Sequence, residues 1–183
     1  MAGISIWHTG GVTATDPVIR LGRPGDASAL VELQHILDNE TEFMLLEPGE
    51  REPDLEPLKL RLAARAEGRD LSYLVMALDG PAAVGYVDVS VLPFARARRT
   101  GYVVAGVRSG HGGRGLGGAL LKAALREART RGMRRLELTV MEQNRHALAL
   151  YLNCGFQVEG LRRAALDVQG HRINEYYMGL LLD

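Results

Sequence analysis

The sequence has one cysteine, Cys154, one tryptophan, Trp7, and 5% aromatic residues in a chain of 183. A single cysteine excludes an intrachain disulfide and is compatible with a reducing compartment. No apolar run approaches membrane-spanning length, and the N-terminus lacks the basic head and apolar core of a secretion signal, so a cytoplasmic location is expected. Net charge is missing too, with Lys plus Arg and Asp plus Glu at 22 each. Bulk charge thus favours neither a nucleic acid nor a membrane surface as partner, and recognition of a charged ligand has to be local. There is no internal repeat and no domain-scale linker. The length, with 46% hydrophobic residues, fits one domain with a full core.

Glycine, by contrast, is concentrated. Val103 to Ala128 reads VVAGVRSGHGGRGLGGALLKAALREA: a β-branched run, a glycine cluster, then an amphipathic helix. Gly112, Gly113, Gly115, Gly117 and Gly118 leave backbone N–H groups uncovered where a helix begins and its first-turn donors lack partners. The positive end of the helix adds attraction for negative charge, so a phosphate or pyrophosphate is the natural ligand. A P-loop would need Lys and Ser or Thr after the last glycine, and Ala119 follows Gly118. The dinucleotide pattern G-x-G-x-x-G is present as Gly113, Gly115 and Gly118, with Glu142 placed to reach a ribose. Against that reading, the turn from Val107 to Gly113 is long, the upstream strands look antiparallel, and little chain follows Glu142.

Residues 1–17 read as a flexible lead-in and 18–183 as one domain. Val18 to Leu21 is the first expected strand, and Asp26 can cap a helix whose Leu30, Leu33, Ile36 and Leu37 share a face. From Asp38 to Glu56 the chain holds eight carboxylates and one arginine, a solvated acidic loop or one wall of a site for a cationic substrate. Phe43, Met44, Leu45 and Leu46 inside it call for burial. Asp54 is expected to cap a second helix with Leu55, Leu58, Leu62 and Ala66 inward. A hairpin follows over Tyr73 to Leu92, then a strand over Thr100 to Val107 that leads into the glycines. Beyond the long helix, Leu136, Leu138 and Val140 alternate as a strand parallel to it. A short helix from Asn144 presents Ala147, Leu148, Tyr151 and Leu152, and a closing hairpin turns at Gln169-Gly170. The apolar end Leu180, Leu181, Leu182 makes a homodimer an expectation.

Val107 to Leu121 resembles the pyrophosphate-binding motif of the GNAT superfamily of N-acetyltransferases, R/Q-x-x-G-x-G/A after a strand ending in Val. Asn144-Arg-His-Ala-Leu-Ala-Leu-Tyr-Leu-Asn-Cys-Gly-Phe156 resembles that superfamily's second signature, N-x-x-A-x-x-L-Y-x-x-x-G-F, and Glu159 to Met178 its closing hairpin. Within the superfamily the chain is similar to the ribosomal-protein N-terminal acetyltransferase-like branch. The resemblance implies an α/β fold: a mixed central sheet of about seven strands, two of them parallel and splayed, with about four flanking helices. It also implies acetyl-CoA as cosubstrate and an amine acceptor, either a small molecule or a protein N-terminus. Gly112 stands where the motif has Arg or Gln, and Ser109 where Pro is common. Main-chain amides do most of the pyrophosphate binding, so the site should survive. Arg114 is either a compensating charge or a solvated side chain at the helix entrance.

On this resemblance the cofactor contacts are Val107, Gly112, Gly113, Arg114, Gly115, Leu116, Gly117, Gly118 and Asn144, with Val107 at the splay and a neighbouring N–H as oxyanion donor. Asn144 also sits where a helix N-cap belongs. No metal enters the reading. Tyr151 matches the tyrosine that donates to the leaving thiolate. A phenol near pKa 10 giving its proton to a thiolate near 8.5 is uphill by roughly 2 kcal/mol, so hydrogen bonding can outweigh full transfer. The strand over Thr100 to Val107 carries no glutamate. Glu137 is the favoured base, against a structural ion pair with Arg134 or Arg135, a carboxylate of the acidic loop or a water relay. His111 reads as a loop residue. The alternatives are an acyl-CoA-binding regulator without catalysis and, further off, a dinucleotide-dependent oxidoreductase.

Overall fold

Residues 16–52, 54–69 and 71–182 are described in the computed structural model, so the expected lead-in, Trp7 included, lies almost wholly outside the described residues. Alternating and continuous apolar runs make seven strands: β1 (Val18–Leu21), β2 (Tyr73–Asp79), β3 (Ala82–Val91), β4 (Thr100–Val107), β5 (Arg135–Met141), β6 (Gln157–Val168) and β7 (His171–Leu181). Four helices intervene: α1 (Ala27–Glu40), α2 (Glu56–Ala66), α3 (Leu116–Thr130) and α4 (Arg145–Asn153). The strands form one sheet in the order β1-β2-β3-β4-β5-β7-β6. Among the described residues only β4 and β5 run parallel, as a crossover through α3 requires; the other neighbours are antiparallel. This is the mixed sheet with a parallel central pair and four helices that the resemblance implies. A single parallel pair leaves no doubly wound sheet for a dinucleotide fold.

Both faces of the central strands β2 and β3 are covered, while edge strand β6 has no buried residue. On β2, Tyr73, Val75 and Ala77 enter one core while Leu74 and Met76 enter another, as the two-residue period dictates. The larger core takes Leu120, Leu121, Ala124, Leu125 and Ala128 of α3 with Leu136, Leu138 and Val140 of β5. The smaller takes Leu30, Leu33 and Leu37 of α1 with Leu58 and Leu62 of α2 and Tyr86 of β3. Gly106 permits the close approach of α1 to the end of β4: a Cβ there would lie 2.6 Å from Leu37 and 3.2 Å from Tyr86.

Several local expectations are corrected. Asp26 occupies the N-cap position of α1 but makes no side-chain cap, because its carboxylate turns back to the Arg20 guanidinium at 2.7 and 2.8 Å and to the Arg23 N–H. Ala66 is exposed at the end of α2, and Leu152 is exposed on α4, where Leu150 packs inward instead. Within the acidic segment Met44 packs on the smaller core while Leu45 stays 76% exposed. The apolar C-terminus is largely internal: β7 lies between β5 and β6, Leu180 packs on the larger core, Leu182 is buried, and Leu181 alone of the three is exposed.

Candidate active site

The glycines lie where β4 hands over to α3. After a single turn over Ser109–His111, Gly113 and Gly115 adopt left-handed backbone (φ +72° and +82°), which side-chain-bearing residues rarely do. Gly115 is the N-cap of α3 and offers no side-chain cap, so the first-turn N–H groups face outward with the positive end of the helix behind them. Gly117 is glycine for another reason, since a Cβ would approach Leu150 of α4 to 3.3 Å. Gly118 has only ordinary contact to make, at 3.8 Å. Residues 112–115 are exposed, Arg114 included, and Val107 and Leu116 are half-buried against the larger core. The Gly112 N–H is taken by the Ser109 C=O at 3.0 Å, and the uncovered amides beyond it at the helix mouth suit an anion such as a diphosphate.

Beside this mouth the sheet opens. Parallel pairing of β4 with β5 covers Thr100–Arg135, Gly101–Leu136 and Tyr102–Glu137, while Val103 to Val107 stay paired to β3. The splay therefore begins at Tyr102, and Val107 marks its far end. The Tyr102 and Thr139 hydroxyls meet across it at 2.9 Å. Tyr102 follows Gly101 and precedes buried Val103, so it faces the α1 side, as does Tyr86.

Tyr151 comes from α4 on the opposite face. It is 8% exposed, and its ring lies edge-on to Phe156 with centroids 5.8 Å apart. Burial pushes its phenol up to about 12, and Tyr86, Tyr102 and Cys154 add smaller contributions in the same direction. Tyr151 therefore stays protonated near neutral pH, with a hydroxyl proton it can donate. Asn144 caps α4, its Oδ1 accepting from the Ala147 N–H at 3.1 Å, which leaves Nδ2 for any ligand.

Glu137 sits at the root of the splay, opposite Tyr102. Its carboxylate accepts from Arg135 Nε at 2.9 Å, and Tyr177 interacts with both side chains. Arg135 also pairs with Glu159 across β7, over Gly179. The ion pair weighed in the sequence is thus present, and it is with Arg135. His111 stays in the turn, 3.5 Å from Asp79, with its Nδ1 buried and unpartnered.

The acidic segment forms a wall. A cavity of about 320 Å³ lies between the chain after α1 and the tip of the β6–β7 hairpin, lined by Asp38, Glu42, Met44, Glu47, Met141 and Asp167 among others. Asp38, 4% exposed, is held by Arg51 through Nε at 2.7 Å and Nη2 at 2.9 Å, and Arg51 also reaches Gln34. The one arginine of the acidic stretch thereby pins the wall to α1. Tyr102 and Asp167 went unremarked in the sequence, whereas Asp38 opens the acidic stretch that the sequence offered as a wall. The lone arginine among eight carboxylates was the available signal for the Asp38 pairing.

Residues 31–156 match the acetyltransferase (GNAT) family. The chain belongs to that family. Among solved structures, this GNAT chain is similar to an acetyltransferase of the GNAT family from Streptococcus pneumoniae, with 28% identity and a TM-score of 0.86 over 92% of this chain and 100% of that one. It is also similar to a ribosomal-protein-alanine N-acetyltransferase from Brucella melitensis, with 25% identity and a TM-score of 0.76 over 90% and 99%. A mycothiol acetyltransferase from Clavibacter michiganensis subsp. michiganensis is 36% identical over 121 residues, 66% of this chain and 32% of that protein. The GNAT chain spans about a third of the length of the curated relatives it matches. Among the described residues no helix is long and apolar enough to cross a membrane, and no group of His, Cys, Asp and Glu is placed to hold a metal ion.

Proposed function

We propose that this GNAT chain transfers an acetyl group from acetyl-CoA to the primary amine of a cationic acceptor. The observation that carries the reading is the junction of three features: a glycine-lined helix mouth, an opened pair of parallel strands, and a buried phenol beside the opening. Acetyl-CoA, when bound, supplies the activated acyl group as a thioester. The amides of Gly113 to Gly118 bind the diphosphate, and Asn144 Nδ2 adds a donor from the mouth of α4. The unpaired edge of β4 between Val103 and Val107 offers main-chain N–H groups to the thioester carbonyl. Tyr151 donates a hydrogen bond to the departing sulfur. Glu137 accepts the ammonium proton of the acceptor, directly or through water, from its place at the root of the splay.

Acceptor choice belongs to the acidic cavity. Glu42, Glu47 and Asp167 favour an ammonium group, and the cavity walls belong to the segments after α1 and at the β6–β7 turn. The similarity to the Brucella protein and the sequence resemblance to the ribosomal-protein branch make a peptide N-terminus the acceptor to try first. Polyamines, amino acids and aminoglycosides form the small-molecule arm. Thiol release from acetyl-CoA across that panel tests the reading. Release with one class of cationic amine is expected. Tight acetyl-CoA binding with silence across the whole panel would favour an acyl-CoA-binding regulator instead.

A further inference from the structure

The last turn of α1 carries a second carboxylate that points the other way from Asp38. Glu40 Oε2 accepts the backbone N–H of Ser109 at 2.9 Å, and Oε1 lies 3.4 Å from Arg108 Nη2. The two partners are the first residues after β4, at the head of the loop that ends in the helix mouth. Downstream, the loop continues through its own turn, with His111 N–H to Arg108 C=O and Gly112 N–H to Ser109 C=O. The Ser109 main chain thus joins the outside anchor to the glycine cradle.

We propose that Glu40 is a positioning residue for acetyl-CoA, holding the loop at Arg108 and Ser109 so that the Gly113–Gly118 amides are already arranged when the diphosphate arrives. The inference rests on the reading of that loop as the diphosphate seat. The Ser109 N–H, followed by smaller contributions from its hydroxyl and from Arg108, holds the Glu40 carboxyl below the usual carboxylate range, so the anchor is charged near neutral pH. Ser109 is what makes the anchor possible, because a proline at this place in the motif would have no N–H to give. The backbone would otherwise accept proline. Ser109 opens a 3-10 turn, and Arg108 before it is extended at φ −56°, ψ +141°.

The test uses Glu40→Ala, Glu40→Gln and Ser109→Pro, with acetyl-CoA affinity by calorimetry, amide exchange over residues 108–112 without ligand, and steady-state kinetics. Glu40→Ala is expected to raise the Kd about five- to tenfold, since apparent affinity falls with the fraction of loop in the binding-competent arrangement. KM for acetyl-CoA should follow while kcat at saturation and Tm hold. Exchange at Ser109 should quicken. Glu40→Gln, which keeps an acceptor oxygen, should lose less. Ser109→Pro removes the donor but leaves the Glu40–Arg108 pair in place. It should weaken binding by no more than Glu40→Ala does, and the double variant should be no worse than Glu40→Ala alone. Unchanged or tighter binding in both single variants, or fully additive losses, overturns the role of Glu40 while leaving the acetyl-CoA reading intact. Failure of the wild-type protein to bind acetyl-CoA overturns both.

Discussion

Replacing Tyr151 by phenylalanine isolates the hydroxyl proposed to assist a leaving thiolate. With the phenol pushed up to about 12 by burial, full proton transfer to a thiolate near 8.5 is uphill by about 5 kcal/mol. Tyr151 is therefore expected to stabilise the developing charge as a donor. A hydrogen bond to a charged group contributes about 1.5–3 kcal/mol, so Tyr151→Phe should lower kcat roughly 10- to 150-fold. The ring keeps its edge-on packing against Phe156, and folding stability should change by no more than about 1 kcal/mol. The assay is thiol release at saturating acetyl-CoA and acceptor, followed from pH 6 to 10. Because the active form is protonated and the group titrates near 12, loss of activity through Tyr151 belongs above pH 10. Retention of kcat within twofold would reduce Tyr151 to a packing residue. A falling limb near pH 9 that disappears in Tyr151→Phe would refute the assignment of a raised phenol.

Glu137→Gln should depress kcat/KM most at low pH and recover as the acceptor amine becomes neutral by itself; an equal loss at every pH with a lower Tm would leave Glu137 only its pairing with Arg135. Gly115→Ala places a side chain at φ +82° and should cost about 1–2 kcal/mol in chemical denaturation, whereas Gly118→Ala should cost nothing measurable there. Equal destabilisation by the two would contradict the conformational explanation of the glycines. Arg51→Ala strips the buried Asp38 carboxylate of its guanidinium and should destabilise by about 3 kcal/mol in urea unfolding, with part restored in Arg51→Ala/Asp38→Asn. A loss below about 1 kcal/mol would mean that water reaches Asp38.

Strands and helices were readable wherever burial follows a local period. The inward rows of α3 and β5, and the hairpin turn at Gln169-Gly170 with both residues at positive φ, follow from spacing and glycine placement alone. Features that depend on distant partners were not readable. Asp26 has the spacing of a cap, but Arg20 six positions away takes its carboxylate. Leu152 has the spacing of a core residue, yet the face of α4 that meets the sheet is set by Leu150 and Tyr151. Asp38 looks like one more solvated acid until Arg51 folds back on it. Gly113 and Gly115 answer to a conformational and local requirement that sequence can show, whereas Gly117 answers to Leu150 of α4. Tyr102 and Glu40 could not be named, since their places depend on where β5 diverges from β4 and where α1 ends.

The joint between β4 and β5 rests on three register pairs, against seven between β3 and β4 and seven between β5 and β7. Chain order respects that seam: residues up to the end of α3 build one leaf of the sheet, and everything from β5 onward builds the other. Thermal breathing should concentrate along the seam, where the ladder has fewest rungs and the Tyr102–Thr139 hydroxyl latch lies. Two leaves that flex against each other there can accommodate reactants of different bulk while the stiffer outer ladders hold their form.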